Sequence, residues 1–380
     1  MKLGELIATT VAYEWILLSL FFSALLIQLG YYLLVFLKLP RYKPSKKKKS
    51  KKGISIIICA KNEEENLEHF LPRVLEQEYP EFEVVVVNDC STDGTEQLLS
   101  EFSVRYKHLR YTSIPANEKF LHGKKLAVTI GLKSARFDHV LLTDADCYPV
   151  SNLWLQNMAS NLTSEKKIIL GYGGYERRKG LLNLIIRYET VFTAIQYLSY
   201  AIKGTPYMGV GRNLAYEKEL FFNNKGFASH YHLSSGDDDL FVNETAVKEN
   251  TAVEISKESH TLSIPKSTFR SWVKQKKRHL SVGTLYKRGS RIRLAGELIS
   301  RMLLYLALFL LCFLSPWKWI VLALFVIFLI VRMVIFNLGM RRLDEKYLLL
   351  PSLLLDPVLP LVLGIIWLSS KFETKHHSWS

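Results

Sequence analysis

From Ile16 to Leu37 the chain is apolar for 22 residues, interrupted only by Ser19, Ser23, Gln28 and Gly30. As a helix this run reaches about 33 Å, enough to cross a hydrocarbon core of about 30 Å. A cleaved leader would be shorter, would carry its positive charge ahead of the apolar part and would end in small residues. Here eight Lys and Arg residues come after the run, between Arg41 and Lys52, with no acid among them. The expectation is a signal-anchor over residues 1–40 and a basic linker over 41–53. The linker and the region C-terminal to it are expected on the cytoplasmic side, where basic flanks are retained.

The net charge of +15 (50 basic against 35 acidic residues) would also suit an acidic partner. Its concentration beside an apolar span points to anionic membrane lipid rather than a nucleic-acid groove. Cys59, Cys90, Cys147 and Cys312 show no paired spacing, so buried free thiols in a reducing compartment are expected.

Three further apolar stretches close the chain, at 302–314, 320–336 and 348–368. The first is short for a span unless it begins near Leu298. The second carries Arg332 near its end, where a long basic side chain can snorkel. The third holds Pro351, Asp356, Pro357, Pro360 and Gly364 and reads as broken or partly interfacial. Met340-Arg341-Arg342 suggests a cytoplasmic loop. The membrane region is assigned to 297–370, with a tail at 371–380. Four spans in all would put both termini outside; three would leave the C-terminus inside.

Between these regions, residues 54–265 have another texture. ISIIICA (Ile54 to Ala60) and EVVVVND (Glu83 to Asp89) are continuously apolar, as strands buried on both faces of a parallel sheet are. Glu63 to Gln77 between them has helical period, which makes a right-handed strand–helix–strand crossover. The alternation continues through Leu109 to Ile114, a helix from Lys124 to Ala135 and a strand from Val140. The fold class is α/β, an open doubly wound sheet flanked by transmembrane helices.

In such sheets ligands lie beyond the carboxyl ends of the strands. Polar clusters fall there four times: Lys61 to Glu64, Asn88 to Gly94, Lys124-Lys125, and Asp144-Ala145-Asp146. Two aspartates two residues apart can face one side and offer hard oxygens to Mg2+ or Mn2+. A metal bridging a diphosphate neutralises charge on a leaving group. Gly123-Lys124 lacks the earlier glycine of a phosphate loop, and Gly171 to Gly174 lacks the spacing of a dinucleotide fingerprint.

In order along the chain, ISIIICAKNEEENL, VVVVNDCSTDGT, HGKKLAV, TDAD, GDDDL and QKKRH resemble the landmarks of membrane-bound family 2 glycosyltransferases of GT-A fold. That resemblance implies an inverting transferase using a nucleotide-sugar donor, with a UDP-sugar expected, and a lipid-linked or membrane-proximal acceptor. Asp89 would contact the nucleotide base, Lys124 or Lys125 the nucleotide or diphosphate, and Asp144 and Asp146 the ribose and metal. Gly211, Arg212 and Asn213 would line the sugar pocket. One acid of Asp237-Asp238-Asp239 would be the general base, Asp238 ahead of Asp237. Gln275 and Arg278 would hold the donor. The basic segment 266–296 that carries them also suits a membrane surface. His279 stands where the family has a tryptophan, and Trp272, about two turns earlier, is a substitute surface for a sugar. The loss of that indole favours addition of one or a few sugars over processive polymer synthesis. A non-catalytic binding protein on a transferase fold is the third reading.

Overall fold

The computed structural model describes residues 3–44, 49–115, 123–231, 233 and 235–371. The middle of the basic linker (45–48), His122 and the tail from 372 lie outside them. The helices run as α1 (Leu3–Tyr31), continued by a π turn (Tyr32–Phe36) into α2 (Lys38–Arg41), then α3 (Glu64–Leu75), α4 (Thr95–Arg105) and α5 (Lys124–Ser134). They continue with α6 (Trp154–Ala159), α7 (Leu181–Lys203), α8 (Lys218–Asn223), α9 (Asp239–Thr245) and α10 (Phe269–Leu280). The last three are α11 (Arg288–Leu314), α12 (Lys318–Arg342) and α13 (Pro351–Ser370). The strands are β1 (Ile54–Ala60), β2 (Phe82–Asp89), β3 (Leu109–Ile114), β4 (His139–Asp144), β5 (Cys147–Pro149), β6 (Ile168–Leu170), β7 (Gly173–Tyr175), β8 (Leu214–Glu217), β9 (Thr251–Val253) and β10 (Thr261–Ser263).

The main sheet has seven strands in the order β3-β2-β1-β4-β8-β6-β9. The first four are parallel, as the crossovers require; β8 runs antiparallel between β4 and β6, and β9 is parallel to β6. The continuous apolar strands are explained by two cores. Ile54, Ile56 and Ile58, with Val84 and Val86, face α3 and α6 through Leu67, Leu71, Trp154 and Met158. Ile57 and Cys59, with Val85 and Val87, face α5 through Ala127, Val128 and Leu132. This second core continues without a break into α7 and the apolar helices. Gly131 lets α5 lie close to the sheet, since a Cβ there would come within 2.6 Å of Ile57 Cγ2. A second sheet, β5-β10-β7, has as its first edge strand β5, which follows β4 directly.

Among the described residues, four helices are long and apolar enough to cross a membrane: Tyr13–Arg41, α11, α12 and α13. α11 begins at Arg288, so the span that looked short has ample length. α13 is one helix despite Pro357 and Pro360 inside it, where the sequence suggested a break. Packing against neighbouring helices supports such prolines. Arg332 does not snorkel: it is buried, 3.1 Å from Asp356, and donates to the Ser352 carbonyl at 3.0 Å. Asp356 also receives Arg301 (3.0 Å), Tyr305 (2.5 Å) and Tyr188 of α7 (3.0 Å). A guanidinium that far from water is held by its counter-ion rather than by solvent. α7 buries Tyr188, Val191, Ile195 and Leu198 at the joint between the sheet domain and the bundle.

Candidate active site

The loops leaving β1 and β2 are clipped together. Asn62 and Cys90 both take left-handed backbone (φ 55° each), a conformation asparagine tolerates well. The Asn62 side chain accepts from the Thr92 amide at 2.8 Å, and the Asn62 amide donates to Ser91 Oγ at 2.9 Å. Glu64 accepts from the Gly94 amide (2.8 Å) while Asp93 accepts from the Glu64 amide (3.2 Å). These reciprocal bonds satisfy the first amides of α3 and α4. They also fix the end of β2, where Asp89 is fully buried.

Lys124, the first residue of α5, reaches across the site. Its ammonium lies 2.8 Å from Asp144 at the end of β4 and 3.1 Å from Asp237. Burial opposes its charge, but Asp144, Asp237 and Asp238 hold its pKa well above the usual lysine range. Lys125 is not brought to those acids; it donates to the carbonyls of His230 (2.6 Å) and Leu233 (3.1 Å). The tandem lysines thus part, one to the acids and one to the segment that leads into them.

The three consecutive aspartates have three environments. Burial would raise the Asp237 pKa, but Lys124 outweighs it and keeps the group ionised. The charge of Arg278 acts on Asp237 in the same direction. Asp238 accepts from the Gly211 amide at 2.5 Å and, as the cap of α9, from the Asp239 amide at 2.8 Å. Its pKa is pushed up to about 6 by burial and by Asp237. Asp239 accepts from Tyr286 at 2.7 Å, and its pKa is raised to about 7 by burial and Asp238. Tyr286 stands just before α11, so the acidic turn is tied to the start of a membrane helix. The sequence offered no signal for that tie.

Gly211 belongs to the site: a Cβ there would lie 3.3 Å from Asp238 Oδ2 and 3.6 Å from Lys124 Nζ. Arg212 donates to the Gly174 carbonyl and Ser263 Oγ (3.2 Å each) and lies over the Tyr175 ring at 4.5 Å. Its charge is within electrostatic reach of Asp144 and Asp146. Asn213 is spent on structure, bonding the Tyr172 and Ser259 carbonyls and the Trp154 indole. On α10, Gln275 approaches the Tyr175 hydroxyl at 3.5 Å. His279 is exposed, with the charges of Arg278, Arg212 and Lys124 acting on it. Trp272 is buried against Phe269 and offers no open face for a sugar. The second sheet, which supplies Tyr175 and Ser263, was not foreseen.

Asp144, Asp146 and Cys147 place their ligand atoms within 4.8 Å of one another. Burial drives the Cys147 thiol pKa well up, and the sulfur lies 2.8 Å from Ser263 Oγ. It is therefore a neutral thiol, leaving two hard carboxylates as the donors, a set that fits Mg2+ or Mn2+ completed by phosphate and water. Burial and the charge of Asp144 raise the Asp146 pKa.

Residues 55–221, covering the strand ends just described, match the model of glycosyl transferase family 2. The chain carries a family 2 glycosyltransferase domain. A 94-residue stretch is 34% identical to poly-beta-1,6-N-acetyl-D-glucosamine synthase of Staphylococcus epidermidis, covering 25% of this chain and 22% of that enzyme. An uncharacterized glycosyltransferase of Haemophilus influenzae is 27% identical over 170 residues, 45% of this chain and 48% of its own length. The matches thus span less than half of these curated relatives. The mannosyltransferase PcManGT of Pyrobaculum calidifontis, solved with GDP-Man and Mn2+, shares the fold at 18% identity and a TM-score of 0.59. That likeness covers 88% of this chain and 99% of that one, more than the sheet domain alone can supply.

Proposed function

We propose that this transferase moves a sugar from a UDP-sugar to a membrane-associated acceptor with inversion, at the cytoplasmic face of the membrane, for cell-surface glycan or glycolipid synthesis. The observation that carries the reading is the convergence of Lys124, Asp144 and Asp237-Asp238 at the carboxyl edge of the parallel strands. Asp89 binds the nucleotide base. Asp144 and Asp146 would hold Mg2+ or Mn2+, which neutralises charge on the departing diphosphate when bound. Lys124 and Arg278 contact diphosphate oxygens, and Gln275 the donor or acceptor. Gly211 and Arg212 border the sugar.

Asp238 accepts the proton of an acceptor hydroxyl as that oxygen bonds to the anomeric carbon. The bond from that carbon to the phosphate oxygen breaks on the opposite face, and UDP leaves. Asp238 is favoured over Asp237 because two backbone amides aim its carboxylate.

The cytoplasmic placement draws support from the ends of the bundle. Arg342, the last residue of α12, donates to the Tyr42 carbonyl at 2.9 Å, and Lys257 of the sheet domain pairs with Asp344 at 2.9 Å. The basic ends of two spans therefore share the side that carries the sheet domain. At the other end, Ser315 donates to Glu14 at 2.6 Å. Domain limits of 54–265 for the transferase part and 266–296 for the interfacial segment accord with this reading.

The synthase likeness supports a second reading, a polymer product, which the exposed His279 in place of an indole opposes. The test is to incubate the purified protein with Mn2+ and a panel of nucleotide sugars, with and without membrane lipid extract. Released nucleotide and product size are then measured. Lipid-stimulated release with short products is expected; a long polymer would establish the second reading, and no release from any donor would refute both.

A further inference from the structure

We propose that Lys124 is a resident cation that keeps a divalent metal from settling on the acids until a nucleoside diphosphate arrives to take the lysine over. The inference rests on the metal–diphosphate reading of Asp144 and Asp146.

The geometry is that of an occupied cation site. The ammonium sits between an acid at the end of β4 and an acid of the 237–239 turn, at 2.8 and 3.1 Å. The Gly211 backbone lies on one side, where a Cβ would touch the ammonium at 3.6 Å. A divalent ion using Asp144 would share its carboxylate with an ammonium about 3 Å away, and like charges that close repel strongly where solvent is partly excluded. A diphosphate removes the conflict. Its oxygens offer the ammonium a partner with more charge than one carboxylate, which frees Asp144 for the metal. The same shift takes the lysine from Asp237, and the carboxylate beside it, Asp238, is left without a compensating cation next to it. Donor binding, metal binding and the strengthening of the base then become one event. Lys125 cannot substitute, since its ammonium is committed to two backbone carbonyls.

The test uses the full-length protein in detergent, with free Mn2+ followed by electron paramagnetic resonance. Without nucleotide, wild type should bind Mn2+ weakly, Lys124→Met at least tenfold more tightly, and Lys124→Arg, which keeps the charge, like wild type. Adding UDP should tighten wild type by tenfold or more and Lys124→Met by less. Because Lys124→Met leaves acids uncompensated, the same substitution is also made in an Asp237→Asn background, where it should again tighten metal binding relative to Asp237→Asn alone. If UDP tightens wild type but neither methionine variant gains without nucleotide, the resident-cation role is wrong and the metal reading stands. If no form binds Mn2+ even with UDP, the metal reading itself falls, and this inference with it.

Discussion

At the scale of single residues, the site separates neighbours that look alike in sequence. Lys124 and Lys125 are adjacent, yet the first turn of α5 sends one to the acids and the other to backbone carbonyls. No pattern in HGKKLAV distinguishes them, because their directions are set by where α5 meets the rest of the fold. Asp144 and Asp146 were legible, since two residues past a buried strand end leave little freedom. Asn213 was not separable from Gly211 and Arg212, because its role depends on carbonyls from Tyr172 and Ser259. The split among the three aspartates predicts a pH profile. The base works as a carboxylate, and Asp238 titrates at about 6 because of burial and Asp237. Donor-saturated kcat/KM for the acceptor should be level at high pH and fall about tenfold per unit below an inflection at or above pH 6, since Lys124, which holds the pKa down, moves to the donor. A profile still level at about pH 5 would remove Asp238 from the role.

At the scale of elements, β1 and β2 declared themselves because both faces are buried, so nearly every position is apolar. The three-residue strands β5, β6, β7, β9 and β10 are too short to show a period, and their place depends on partners distant in sequence. α13 was misjudged for the opposite reason: its prolines signalled a break that packing overrides. The residue that shows this is Asp356, which gathers Arg301, Arg332, Tyr305 and Tyr188 from three other helices. Asp356→Ala should cost on the order of 3–5 kcal/mol by leaving Arg332 without its carboxylate and Arg301 with Glu297 alone. It should appear as a large drop in the detergent melting temperature. Replacing Asp356, Arg301, Arg332 and Glu297, the other partner of Arg301, together by apolar residues of similar volume should restore much of the loss. If the single and quadruple variants melt alike, the cluster is not the brace its geometry describes.

At the scale of the whole molecule, one core runs from the sheet through α7 into the spans, and Tyr286 ties the acidic turn to the start of α11. On the proposed topology the acidic edge would then be held at the membrane surface, where a lipid-borne acceptor would arrive. Four spans with the sheet domain inside would place the start of α1 and the end of α13 outside. A cysteine introduced at Trp317 should be labelled in intact cells by an impermeant thiol reagent, and one at Lys257 only after lysis; the reverse pattern would invert the topology. The number of spans was open in the sequence because α11's apolar part is short and its polar first turns gave no warning of their helical continuation.

The central claim is that the acids beyond β4 and before α9 perform sugar transfer, and one comparison tests it most directly. Wild type and Asp238→Asn are given the accepted donor, Mn2+ and lipid extract, and transfer is measured beside UDP binding. The account predicts a loss of about 10²–10⁴-fold in transfer, with UDP affinity within a few-fold of wild type. Wild-type transfer by Asp238→Asn would contradict it, and a larger loss in Asp237→Asn would move the base to Asp237.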